Sequence, residues 1–140
     1  MSAKFFIDTN IIVYSFDLSV PHKQLIAQEL VAIALTSSEG VISSQVFQEF
    51  VNFALKTKTN PMTLEQVQRY SNKVLRALCR VQSSFTLYQS AFSIKEKTKF
   101  SWYDSLIIAG ALEAECEILY SEDLQHSQKI QGLVIRNPFL

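Results

Sequence analysis

The sequence predicts an α/β protein in which helices cover both faces of a central, mostly parallel sheet. Short β-prone runs alternate with longer stretches at helical spacing, and this alternation is typical of parallel sheets with helical crossovers. The length of 140 residues fits one domain, residues 1–140, with a substantial core. Hydrophobic residues make up 48% and charged residues 19%, which argues against disorder.

We expect a sheet of four to five strands in three α/β/α layers. Four strands can be located as short apolar runs with turn signals around them, at residues 5–7, 41–42, 118–120 and 133–135. The first run starts almost at the beginning of the sequence, and the second follows Gly40.

Capping signals and apolar spacing predict the helices. Pro21 suits the first turn of a helix that runs toward Leu35, and Ser43 or Ser44 can cap the next one. The spacing of Thr63 and Gln66 is a capping-box signature. The remaining helices are expected shortly after Thr9 and over residues 64–78, 87–97 and 104–115.

Several classes of protein are disfavoured. No apolar stretch approaches the roughly 20 residues that span a bilayer, and the first strand comes too early for a signal peptide. We therefore expect a soluble cytoplasmic protein with no membrane partner. Cys79 and Cys116 lie in otherwise apolar helical patterns and are expected to be free buried thiols; neither they nor His22 and His126 show zinc spacing. The three glycines form no phosphate-binding loop.

The net charge of zero argues neither for nor against a nucleic-acid partner. If four acids surround a metal ion, the remaining surface is mildly cationic, as phosphate binding prefers. Ordinary solvated helix faces explain the same basic residues equally well. The candidates are Lys56, Lys58, Arg69, Lys73, Arg76, Arg80, Lys95, Lys97 and Lys99.

Four acidic residues stand at informative places. Asp8 ends the first strand and Asp123 follows the strand at 118–120, so both belong to carboxyl ends, where open α/β sheets bind ligands. Asp104 opens a helix and precedes Ile107 and Ile108 on its inward face. Glu49 flanks the apolar stripe of the helix that follows Ser44.

Each acid also has a plain structural explanation. Asp8 can cap the short helix after it, Asp104 can complete a capping box with Ser101, Glu49 can be solvated, and Asp123 can be a turn residue. Together, however, the four carboxylates would meet at one edge of the sheet and raise one another's pKa. A hard divalent cation such as Mg²⁺ or Mn²⁺ would relieve that repulsion.

The ordered set of these motifs resembles PIN-domain ribonucleases, and specifically toxins of the VapC type. The resemblance runs through nearly the whole chain, with small departures at Ser121, where threonine is common, and at Ser127, where glycine is frequent. The matching segments are residues 6–10 (FIDTN), 44–50 (SQVFQEF), 101–109 (SWYDSLIIA), 120–126 (YSEDLQH) and 137–139 (NPF).

The resemblance implies a PIN-like fold, a metal-dependent endoribonuclease activity and the role of toxin in a toxin–antitoxin pair. It implies that catalysis and Mg²⁺ or Mn²⁺ binding depend on Asp8, Glu49, Asp104 and Asp123, supported by Thr9, Asn10 and Ser121. It also implies an RNA substrate, a small antitoxin protein as partner, and a homodimer.

Three other readings stay open on the sequence alone. A non-catalytic scaffold that binds RNA or protein would use the same fold, and a DNA-cleaving nuclease would use the same acids. A phosphatase that forms a phosphoaspartate also begins with an aspartate after its first strand. That chemistry requires a second acid two residues later, where this chain has Asn10.

Overall fold

The computed structural model describes residues 3–59 and 61–140. They form a mostly parallel central sheet flanked by helices, as predicted. The strands are β1 (Phe5–Ile7), β2 (Gly40–Ser43), β3 (Cys79–Val81), β4 (Ile118–Tyr120), β5 (Lys129–Ile130) and β6 (Leu133–Arg136). Their order across the sheet is β3-β2-β1-β4-β6-β5, and only the β5–β6 pair is antiparallel.

The helices begin and end close to the predicted signals. Ser43 caps α3, Pro21 opens α2, and Thr63 and Gln66 form the complete capping box of α4. A π-helical turn, Ser71–Leu75, joins α4 to α5. The helices are α1 (Thr9–Tyr14), α2 (Pro21–Ser37), α3 (Ser44–Lys56), α4 (Leu64–Tyr70), α5 (Arg76–Leu78), α6 (Phe85–Thr98) and α7 (Trp102–Glu113).

The sheet has six strands instead of the predicted four to five. The additional strands, β3 and β5, have three and two residues and lie at its two edges. Neither is an apolar run, because β3 contains Arg80 and β5 consists of Lys129 and Ile130, so the signal that located the three-residue strands β1 and β4 is missing. The helical placement of the cysteines was also wrong, because Cys79 begins β3 and Cys116 lies between α7 and β4, although both thiols are free.

The register of the central strands determines which residues meet at the carboxyl edge. Ile7 pairs with Tyr120 of β4, and the backbone N–H of Asp8 donates to the Tyr120 carbonyl at 3.0 Å. Asp8 and Ser121 are therefore neighbours at the point where both strands end. Phe6 and Ile7 are completely buried, so this edge stands on the rigid centre of the core.

Helix α7 lies against β2 and β4 and is buried from Ser105 to Ala111. Gly110 faces the sheet, and a methyl group there would lie at an ordinary contact distance of 3.6 Å from the ring of Phe6. Asp104, one residue before the buried stretch, is thereby placed near the carboxyl edge. Within residues 3–59 and 61–140, no helix is long and apolar enough to cross a membrane.

Candidate active site

A cleft of about 480 Å³ lies at the carboxyl ends of β1 and β4, between α1, α3 and α7. All four predicted acids line it, together with Thr9 and Asn10, while Ser121 is buried beneath it. No lysine or arginine of the described residues belongs to the lining. The acidic residues of the cleft are Asp8, Asp17, Glu49, Asp104, Glu122 and Asp123.

Asp8 is the best-fixed carboxylate of the cleft. Only 7% of the residue is exposed, its Oδ1 accepts from the backbone N–H of Thr9 at 2.7 Å, and its Oδ2 accepts from the Ser121 hydroxyl at 2.7 Å. It is also the N-cap of α1, so the structural explanation that Asp8 caps this short helix is confirmed.

The Asp8 carboxyl is difficult to ionise in spite of these hydrogen bonds. Its pKa is raised to about 6: burial raises the pKa most, the hydrogen bonds from Ser121 and Thr9 lower it, and the negative charges of Glu49 and Asp123 raise it. An aspartate that only caps a short helix does not need to be buried beside other acids, where ionisation is costly. The raised pKa therefore indicates that a bound cation would stabilise the ionised carboxylate of Asp8.

Glu49 reaches the cleft from the exposed face of α3, where the solvated alternative placed it. Its Oε1 accepts a hydrogen bond from the Thr9 hydroxyl at 2.7 Å. Thr9 thus serves both acids, because its backbone N–H binds Asp8 while its hydroxyl binds Glu49.

Asp104 is half-buried in the first turn of α7. Its backbone N–H donates to the hydroxyl of the N-cap Ser101 at 3.1 Å, which is one half of a capping box. In the described part of the chain its carboxylate accepts no hydrogen bond. The side chain is therefore available to a ligand in the cleft.

Asp123 is exposed, and its backbone is fixed more firmly than its side chain. The Asp123 N–H donates at 3.2 Å to the same Ser121 hydroxyl that donates to Asp8. Ser121 therefore links the two acids that follow β1 and β4. This dual role explains why a hydroxyl residue is useful at position 121.

Sequence reasoning missed a group of residues beside the cleft. Glu122 accepts from the Tyr14 hydroxyl at 2.6 Å and forms an ion pair with Lys23. Burial would raise the pKa of Glu122, yet the hydrogen bonds from Lys23 and Tyr14 lower it below its ordinary value. These contacts join residues about a hundred positions apart, so no local pattern signals them.

Asn10 occupies the predicted supporting position. Its Oδ1 accepts from the backbone N–H of Glu122 over a long 3.5 Å, whereas its buried Nδ2 has no partner among the described residues. The side chain ties the beginning of α1 to the segment after β4.

The donor atoms suit a hard divalent cation, but their spacing is more open than predicted. Among the described residues, no three acidic, histidine or cysteine side chains are grouped closely enough to hold a metal ion. In the described chain all four predicted acids share the cleft without forming a closed ligand set, so their role as metal ligands stays a prediction. The six acidic residues of the lining, its lack of basic residues among those described and the raised pKa of Asp8 still fit Mg²⁺, which binds through one or two carboxylates and keeps several waters.

Comparison with known proteins identifies the family. Residues 5–130 match the PIN domain, so the chain belongs to the PIN domain family. This family consists in general of nuclease-type hydrolases that use divalent metal ions. A search of curated proteins gives no match.

Solved structures share the fold at low sequence identity. A toxin–antitoxin complex from Klebsiella pneumoniae contains a chain that is 20% identical, with a TM-score of 0.66 and 98% of each chain covered. A DNA-bound VapBC from Salmonella typhimurium is 18% identical, with a TM-score of 0.67 and coverage of 98% and 99%. VapBC2 from Rickettsia felis, bound to a promoter DNA fragment, is 20% identical, with a TM-score of 0.65 and coverage of 95% and 97%.

Proposed function

We propose that this protein is a metal-dependent endoribonuclease of the VapC type that hydrolyses RNA phosphodiester bonds as the toxin of a toxin–antitoxin pair. The observation that carries the proposal is Asp8, a buried carboxylate with a raised pKa in a cleft of further acids, within a PIN domain. Such a site favours a divalent cation, and a cation of that kind favours phosphate chemistry.

Asp8 and Asp104 would hold Mg²⁺ or Mn²⁺, and Glu49 and Asp123 would act directly or through water. When bound, the ion supplies an acidified water and stabilises charge on the scissile phosphate. Thr9 and Ser121 orient the carboxylates by the hydrogen bonds described above, and Asn10 holds the segment after β4. The cleft holds no serine, histidine or cysteine arranged as a covalent nucleophile within the described residues.

The partners follow by analogy with proteins of the same fold. Three similar structures are toxin–antitoxin or VapBC complexes by name. A small antitoxin protein is therefore the partner we propose, with a cytoplasmic homodimer as the assembly. Co-expression with the neighbouring small open reading frame should restore the growth of cells that produce this protein.

Parallel digestion of RNA and DNA tests the activity. We expect cleavage of RNA with Mg²⁺ or Mn²⁺, and its arrest by a chelator. Asp8→Asn or Asp104→Asn should abolish cleavage while leaving the fold intact. Cleavage of DNA alone would replace the ribonuclease by a DNA-cleaving nuclease, and RNA binding without cleavage at any metal concentration would favour a scaffold.

A further inference from the structure

A polar cluster beside the acidic cleft joins the segment after β4 to α1, α2 and the C-terminal residues. The Glu122 carboxylate is held by the Tyr14 hydroxyl at Oε1 and by the Lys23 ammonium at Oε2. The ammonium lies 4.8 Å from the ring centroid of Tyr14 and 5.3 Å from that of Phe139. The two rings pack edge to face at 5.1 Å. Lys23 is thus fixed by an anion and two aromatic faces at once.

This ion pair is far better shielded than the other one in the described chain. The side chains of Lys23 and Glu122 are 29% and 24% exposed, whereas those of Arg69 and Glu65 on α4 are 61% and 80% exposed. An exposed pair contributes little because water and salt screen it. The Lys23–Glu122 pair has the defined geometry that is needed to fix a backbone segment.

Glu122 lies between two residues of the candidate active site. Ser121 before it donates to Asp8, and Asp123 after it carries an acid of the cleft. Among the described residues, the backbone of Glu122 makes one hydrogen bond, a long 3.5 Å contact with Asn10, whereas Ser121 is already held by Asp8 and by the Arg136 carbonyl. The side chain of Glu122 therefore provides the firm attachment of residues 122 and 123 to α1 and α2.

We propose that Lys23 is a positioning residue that, through Glu122, fixes residues 122 and 123 so that the Asp123 carboxylate is placed for a cation bound in the cleft. The inference rests on the proposed function of that cleft. Lys23 lies outside the cleft lining and outside every motif that carried the family resemblance. The competing explanation is that Lys23 acts by charge alone and merely cancels Glu122.

A set of charge-matched variants separates position from charge. Lys23→Met removes one positive charge beside the cleft, and Glu122→Gln removes one negative charge. The double variant therefore leaves the net charge unchanged. Calorimetric titration with Mn²⁺ measures each affinity without substrate. If Lys23 acts by positioning, the Mn²⁺ dissociation constant of the double variant should be about tenfold higher than that of the wild type. This is the lower end of what supporting residues of metal sites contribute. Lys23→Arg should restore most of the affinity.

Amide hydrogen exchange provides a readout that does not require metal. The amides of Glu122 and Asp123 should exchange at least about tenfold faster in the double variant, while those of the β1 core remain protected. Arg69→Met, which removes the exposed ion pair on α4, is the matched control and should change neither quantity.

The outcomes are distinct. A double variant with wild-type Mn²⁺ affinity and exchange rates, combined with opposite shifts in the two single variants, would overturn positioning in favour of charge. Wild-type protein that binds Mn²⁺ but cleaves no RNA would defeat the proposed nuclease and leave the role of Lys23 standing. Wild-type protein that binds no Mn²⁺ would overturn both.

Discussion

On the strand side of the cleft, Asp8 is buried and accepts two hydrogen bonds at 2.7 Å, whereas on the helix side Glu49 is exposed and accepts one. The first carboxylate is fixed by the register of β1 and β4, and the second by a side-chain contact from α3 to Thr9. A fixed carboxyl group with a raised pKa is suited to hold a cation in place. An exposed carboxylate that accepts a single hydrogen bond can turn toward a bound cation more readily, which agrees with the open spacing of the carboxylates.

Replacing each acid by its amide should give the largest contrast. Asp8→Asn removes the anchor, so kcat/KM for RNA cleavage should fall by at least about 100-fold, equivalent to roughly 3 kcal/mol of lost charge stabilisation. Glu49→Gln should lower it by about tenfold, because water can replace a solvated ligand. Kinetics at saturating Mg²⁺ measure both. Equal losses would show that the two sides do not differ in function.

Asp8→Asn should affect stability in the opposite direction: it should lower activity but raise the free energy of unfolding. The folded state raises the pKa of Asp8 from 3.8 to about 6, so it binds the proton more tightly than the unfolded chain does. This residue therefore lowers the free energy of unfolding as the pH rises from about 4 through 6, by up to about 3 kcal/mol above that range. Without divalent ions, Asp8→Asn should be more stable than wild type by roughly 1–3 kcal/mol at pH 8.

Urea denaturation at pH 8 and pH 4 measures this difference. The advantage of Asp8→Asn should be largely lost at pH 4, where the wild-type carboxyl is protonated in the folded state and about half protonated in the unfolded state. Glu49→Gln serves as the control and should stay within about 0.5 kcal/mol of wild type. An Asp8→Asn variant that is less stable than wild type at pH 8 would mean that the carboxylate stabilises the fold.

The strand side could be predicted from the sequence because its placement is local. Asp8 and Ser121 directly follow apolar runs, and the parallel pairing of those runs dictates that they meet. The capping signals of Thr63 and Ser101 are likewise read from neighbours in sequence. The edge strands β3 and β5 were missed because each is short and contains a charged residue, so neither stands out as an apolar run.

The helix side was predictable only in its residue types. Its geometry depends on how α1, α3 and α7 pack, and packing decides that Thr9 contacts Glu49 and that Glu122 meets Lys23. The spacing of the carboxylates is also a property of tertiary structure, so the sequence indicates which acids share the cleft but not how far apart they lie.

Ser121→Ala should have a smaller effect than loss of Asp8 and act on the strand side alone. It removes the hydroxyl that links Asp8 to the Asp123 backbone, so the Mn²⁺ dissociation constant should rise about tenfold. The pKa of Asp8 should rise further, because one of the bonds that favour its ionised form is lost. Ser121→Thr keeps the hydroxyl and is the matched control; calorimetry in which both variants match wild type would exclude this role.

Thr9→Val should give the smallest change. It removes the hydroxyl that holds Glu49 but keeps the backbone N–H that binds Asp8. We expect the Mn²⁺ dissociation constant to rise by about threefold, at the low end of what one hydrogen bond contributes. If Thr9→Val lost as much Mn²⁺ affinity as Ser121→Ala in the same titration, the helix side would contribute as much to metal binding as the strand side.

The most direct test of the account is calorimetric titration of Mn²⁺ into wild-type protein and Asp8→Asn at pH 8 without nucleic acid. We predict saturable binding by the wild type and a dissociation constant at least about tenfold higher in the variant. Equal binding by the two proteins, or none by the wild type, would contradict the claim that Asp8 anchors a divalent cation in this cleft.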